Sequence, residues 1–177
     1  MTVVLCGANP GVRLFEGDTV TAFASVWTVD WSVRGAGTAL VLWHDGQVRV
    51  LGADPDLAGW LADHFVRHFP EVDGLPWPAP TVSRAEVTVT LDLDSGLVAT
   101  AADVEVTMSG VLDRRTFGTD DFALDGVPHG LQLLLAPMAE ATITVAGQRL
   151  PGAVTVGGTP SRPSSSAFLA AAEVWSR

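Results

Sequence analysis

The chain has 177 residues, 47% of them hydrophobic, and a formal charge of −10 from 20 acidic against 10 basic side chains. That length supports one sizeable core and is short for two, the hydrophobic content excludes a disordered chain, and no apolar run approaches the roughly 18 residues of a membrane helix. Such an acidic surface repels polyanions, which excludes nucleic acid and anionic membranes as partners.

All ten basic residues are Arg, and Lys and Tyr are absent. Schiff-base and lysine general-base chemistry are therefore excluded. The dominance of Ala, Gly, Val and Asp points to a GC-rich bacterial genome. The opening MTVVLCGANP lacks the basic start and long apolar stretch of a secretory signal, and Leu5 is too bulky for a lipobox. One cysteine, Cys6, cannot form an internal disulfide, which fits a reducing compartment, so the expected location is cytoplasmic.

Residues 19–33, TVTAFASVWTVDWSV, alternate over a long run, with Phe23, Trp27, Trp31 and Val33 on one face and Val20, Ala22, Ala24 and Val26 on the other. Strict alternation of that length predicts a strand. In TALVLWHDGQVRVL, Asp45-Gly46 supplies the two positive-φ positions of a type I′ turn. That turn pairs His44 with Gln47 and Leu42 with Arg49 on one face, and Trp43 with Val48 and Val41 with Val50 on the other.

A helix is predicted at about 55–69, opened by the Asp54 cap and Pro55 and closed by Pro70. Wound at 100° per residue, it places His64 and His68 in the middle of the apolar face beside Leu57, Trp60 and Leu61. Strands are then predicted at 85–93 and 102–112 with a short one between, followed by a polar loop at 113–130. Further strands are expected at LQLLLAP, ATITVAG and AVTVG. Residues 157–166, rich in Gly, Pro and Ser, are expected to tether a short C-terminal helix, AFLAAAEVW.

The predicted architecture is therefore a single mostly-β domain over 1–177. About eight or nine strands form an antiparallel meander, which usually closes to eliminate its edges. By analogy of strand number alone it is barrel-like, of the calycin or helix-grip kind, and no motif of either class is present to carry residues across.

Three sets of residues carry candidate chemistry. His64 and His68, at i and i+4, have the geometry of a metal pair, but no third ligand is local, so no metal is assigned; they face either a ligand or a packed core in which they satisfy indole N–H groups. Within 113–130, Arg115 could hold an anionic group and His129 could act as acid or base; the plain alternative is a solvated acidic loop. Trp27, Trp31 and Trp60 could form an apolar pocket wall.

The leading functional expectation is a protein that binds a small apolar or amphipathic molecule in an internal cavity, contacted by His64, His68, Trp60, Trp27, Trp31, Arg115 and His129. An enzyme on the same scaffold, a cyclase, isomerase or hydratase using a His/Asp acid-base and no cofactor, is the second. A homodimeric interaction module with no small-molecule site is the third. No motif names a substrate.

Overall fold

The computed structural model describes residues 1–177. Strands β1 (Val3–Ala8), β2 (Gly11–Glu16), β3 (Thr19–Ser32), β4 (Gly37–His44) and β5 (Gln47–Gly52) precede the one helix, α1 (Pro55–His64). Two 3-10 turns, Val66–His68 and Pro70–Val72, follow it. The chain continues through β6 (Thr81–Arg84), β7 (Val87–Asp92), β8 (Gly96–Ala101), β9 (Val104–Val111), β10 (Arg115–Leu124) and the long β11 (Val127–Val145). It ends with β12 (Gln148–Arg149), β13 (Val156–Thr159), β14 (Arg162–Ser165) and β15 (Ala167–Ser176). The fold is mostly β, and no helix is long and apolar enough to cross a membrane.

Thirteen strands share one mixed sheet in the order β6-β5-β4-β3-β1-β15-β11-β9-β8-β7, with β2, β10 and β12 paired along its sides. Only β5 and β6 run parallel. The first half of β11 pairs with β10 and β15 and its second half with β9 and β12, so this one strand carries the sheet from one layer to the other. Between the layers lies a packed core that includes Leu14, Ala24, Leu40, Val106, Met138 and Ile143.

A second core lies on the opposite face of β3 and β4, where Trp27, Val41 and Val50 meet Leu57 and Leu61 of α1. Both faces of β3 are thus buried, which explains why apolar residues fill both sets of alternate positions along it. The β4–β5 hairpin has the register that its Asp45-Gly46 turn demands.

Four expectations are corrected. The C-terminal segment is strand β15 and not a helix: it pairs with β11 along most of its length and with β1 over Glu173–Ser176, and that tertiary pairing overrides alanine's helix propensity. The 157–166 tether is instead mainly the β13–β14 hairpin. Residues 113–130 are not a loop, because β10 and the start of β11 pair across an Asp125-Gly126 turn with φ of 51° and 73°. Strands β1 and β2, together with β10 and β15, raise the strand count well above eight or nine.

The helix, too, is shorter than 55–69. Asp54 accepts from the backbone N–H groups of Asp56 and Leu57, as an N-cap should. The α-helix then stops at His64, and Phe65 (φ −119°, ψ −70°) begins the tighter turns. Past that change Phe65, Val66 and Phe69 are buried in the second core.

Candidate functional site

Under the second 3-10 turn, a cavity of about 270 Å³ opens over β11 and β15. Its floor is Leu131, Leu133, Leu135 and Pro137 from β11, beside Phe168, Ala170, Glu173 and Trp175 from β15. Phe69 and Glu71 cover it, Arg115, Phe117 and Phe122 of β10 form one wall, and Asn9 and Arg13 form the other.

The parity of these residues is informative. Along β11 the cavity takes every second residue, as a strand must offer them. On β15 it takes 168 and 170, then 173 and 175. The switch comes from one extra residue: Gln132 pairs with Val174 but Leu134 pairs with Ala171, and Ala172 adopts φ of 47°. This β-bulge re-aims Glu173 and Trp175 into the cavity. A second bulge does the same on β10, where Thr119 opposes Leu131 and Phe122 opposes His129. It brings Phe122 to the face already occupied by Arg115 and Phe117.

Glu173 is only 3% exposed. Trp175 donates its indole N–H to Glu173 Oε1. That bond favours the carboxylate, yet burial opposes the charge more strongly, and the Glu71 carboxylate nearby adds to the opposition. The Glu173 pKa is pushed up to about 8, so it is a neutral acid at physiological pH. Glu71 is raised as well, by desolvation first, with its own backbone N–H and Arg13 pulling the other way.

Two cations complete the lining. Arg115 is 18% exposed and donates from Nη1 to Asp113 Oδ2 at 2.7 Å and to the Pro163 carbonyl at 2.8 Å. The same bond from Arg115 holds the Asp113 carboxyl below its ordinary value. Arg13 lies 5.4 Å from the Phe15 ring centroid, and its Nε is buried with no hydrogen-bond partner. Asn9 is buried and spends both amide hydrogens within the protein, on Ser25 Oγ at 2.8 Å and the Val26 carbonyl at 2.9 Å.

The candidate residues read from sequence are divided among several places. His64, His68, Trp60 and His129 do come together, lining a second cavity of about 450 Å³ with Arg34, Arg67 and Arg177. The His64 side chain is 57% exposed and packs on Trp60 at 5.8 Å between centroids. His129 Nδ1 lies 2.8 Å from the Val127 carbonyl, and its ring meets Trp175 edge-on at 6.4 Å. No group of three or more His, Cys, Asp or Glu side chains is placed to hold a metal ion.

Neither histidine of the pair satisfies an indole: Trp43 donates to the Pro76 carbonyl, Trp175 to Glu173, and the Trp27 N–H is buried without a partner. Trp27 is wholly inside the second core, against Phe65 and Phe69. Trp31 is 49% exposed, because Cys6 pairs with Trp31 while Gly7 pairs with Val29, and the bulge at Asp30 turns Trp31 outward. Arg115 alone among the seven lines the 270 Å³ cavity.

Sequence reasoning missed Glu173, Glu71, Asn9 and Arg13. One signal was available for Glu173: it is the only charged residue in AFLAAAEVW, an otherwise apolar run. Comparisons with protein-family models, curated proteins and solved structures returned no match, so the site stands on its own chemistry.

Proposed function

We propose that the chain binds a small amphipathic molecule in the cavity over β11 and β15. The observation that carries this is Glu173, a carboxyl buried in an aromatic and aliphatic wall with burial holding its proton on. Neutral, it can donate one hydrogen bond to a ligand oxygen while its other oxygen accepts from Trp175. Sites of this kind pair an apolar lining with a few placed polar groups. The volume is less than twice the roughly 150 Å³ that holds benzene, which suits a single ring or a short chain.

We further infer that the folded-over sheet acts as a barrel, its end strand β7 brought against β4, two strands in from the other end, where Thr38 Oγ1 donates to the Val87 carbonyl at 2.8 Å. The space between its layers is filled by side chains. The ligand therefore binds outside that interior, under the β10–β11 arm.

A second reading is enzymatic, favoured by two carboxyls of raised pKa in one cavity. Glu173 would deliver a proton and Glu71 would take one, as in isomerisation or hydration without a cofactor. Native mass spectrometry of freshly purified protein is the test. An adduct lost on denaturation supports the cavity reading and gives the ligand's mass. Incubating that ligand with the protein then separates the two: an unchanged ligand means a binder, and turnover abolished by Glu173→Gln means an enzyme. A bare, clean dimer would instead favour an interaction module.

A further inference from the structure

The guanidinium of Arg13 forms no ion pair, although its charge acts on the Glu71 carboxyl and it stands 5.4 Å from the Phe15 ring centroid. The five ion pairs engage Arg49, Arg67, Arg114, Arg115 and His64, never Arg13. Its side chain donates no hydrogen bond, and its Nε is fully buried in the cavity wall. Natural structures give nearly all buried donors an acceptor, and this Nε has none, while the rest of the half-buried guanidinium keeps contact with solvent.

Arg115 lines the same cavity from β10. Both arginines are tied to one short stretch: Arg115 Nη1 donates to the Pro163 carbonyl, and the Arg13 backbone N–H donates to the Ser166 carbonyl at 2.9 Å. Of the five N–H donors of Arg115, the two on Nη1 are spent on Asp113 and Pro163, which leaves Nε and Nη2. The lining is also aromatic, with Phe122 edge-on to Trp175 at 5.1 Å and Phe69 stacked on it at 6.1 Å.

We propose that the ligand is a small organic monoanion, an apolar or aromatic body with one carboxylate, which seats that carboxylate on Arg13 and Arg115 and its body against Phe122, Leu133 and Trp175. The proposal rests on the cavity being a ligand site. Charge balance limits the head group to a single negative charge. Asp113 already offsets Arg115, so Arg13 is the one arginine of this lining without an ion pair, and a doubly charged phosphate would place surplus negative charge beside Glu71. Two guanidinium forks on one carboxylate also match its planar geometry.

The test compares acids with alcohols of the same skeleton: 3-phenylpropionate with 3-phenylpropanol, and the straight-chain C6 to C10 acids with their alcohols. Binding is read from the Trp175 indole N–H resonance in ¹⁵N-labelled protein, identified as the peak absent from Trp175→Phe. The expected result is that at least one acid binds about tenfold or more tighter than its alcohol, the order of a charge-assisted pair. Arg13→Met should remove that preference and keep the alcohol's affinity. If that variant does not fold, the comparison on the unaltered protein decides. Equal binding of acids and alcohols overturns the anion while leaving the cavity a ligand site. If no probe of either series moves the resonance, the cavity reading fails and this inference with it.

Discussion

The buried acid makes a quantitative prediction about stability. Glu173 has an ordinary pKa of 4.5 in an unfolded chain and about 8 in the fold, so between those values the folded state holds a proton that the unfolded state releases. Its contribution is fully present below pH 4.5 and is lost as pH rises through 8. At about 1.36 kcal/mol per pH unit, the whole span is worth roughly 5 kcal/mol, and the window from pH 5 to 8.5 contains roughly 4 kcal/mol of it. Asp92, Asp103 and Asp113 are shifted downward by their hydrogen bonds, so their contributions are lost only below about pH 4 and do not enter this window. Glu71 shifts in the same direction as Glu173, chiefly through its own desolvation, which remains when the Glu173 carboxyl is replaced; only their mutual repulsion is lost. Urea unfolding of the wild type and Glu173→Gln at half-unit steps from pH 5 to 8.5 isolates the difference. Glutamine is neutral throughout and keeps an oxygen for Trp175. The two proteins should match within about 1 kcal/mol at pH 5, and the variant should be more stable by roughly 4 kcal/mol at pH 8.5. Parallel curves would refute the reasoning, since they would mean that Glu173 is ionised in the fold.

Phe69 stacks on both Trp27 and Trp175, and Phe69→Ala should cost about 3–5 kcal/mol in urea unfolding, with loss of near-ultraviolet dichroism. His64 faces solvent, so His64→Ala should change stability by no more than about 0.5 kcal/mol; a thermal melt displaced by many degrees would place the ring in the core after all. A Cβ at Gly7 would stand 1.9 Å from the Thr28 carbonyl oxygen, and Gly7→Ala should cost about 3 kcal/mol or more as β1 is pushed from β3. Gly59 has open space around it inside α1, and Gly59→Ala should raise stability by about 0.5–1 kcal/mol in the same assay.

The parts of the fold that were legible are those where a local rule and the tertiary environment agree. Asp45-Gly46 specified its hairpin register because both flanking strands are apolar and the turn type leaves one pairing. The Asp54 cap located the start of α1. At 113–130 the same Asp-Gly signal existed at 125–126, but β10 is exposed along most of both faces, and a strand without a buried face has no alternation to read. In β15 the run of alanines carries a helix preference of tenths of a kcal/mol per residue, and ten residues of pairing on both edges outweigh it. The histidines were misplaced for two reasons: the buried arc of α1 is Leu57, Ala58, Leu61 and Ala62, which leaves His64 at its edge, and His68 lies beyond Phe65, where the helix is no longer α and 100° per residue no longer applies.

The site was harder to see because its residues share a face only through irregularities. A regular strand over 167–176 would put Phe168 and Ala170 on one side and Glu173 and Trp175 on the other. The extra residue at Ala172 undoes that, and the extra residue in β10 between Thr119 and Phe122 does so again on the facing wall. Between them the two bulges convert three ordinary strands into a cavity with a buried acid and arginines in its lining. Neither has a composition signature, since the positive-φ position at 172 is an alanine and not the glycine that a sequence reader looks for. Holding alanine there costs about 1 kcal/mol or more, against a gain that includes burying Trp175 and orienting Glu173. The strained residue thus sits beside a buried acid in a cavity that also holds Arg13, whose buried Nε has no hydrogen-bond partner.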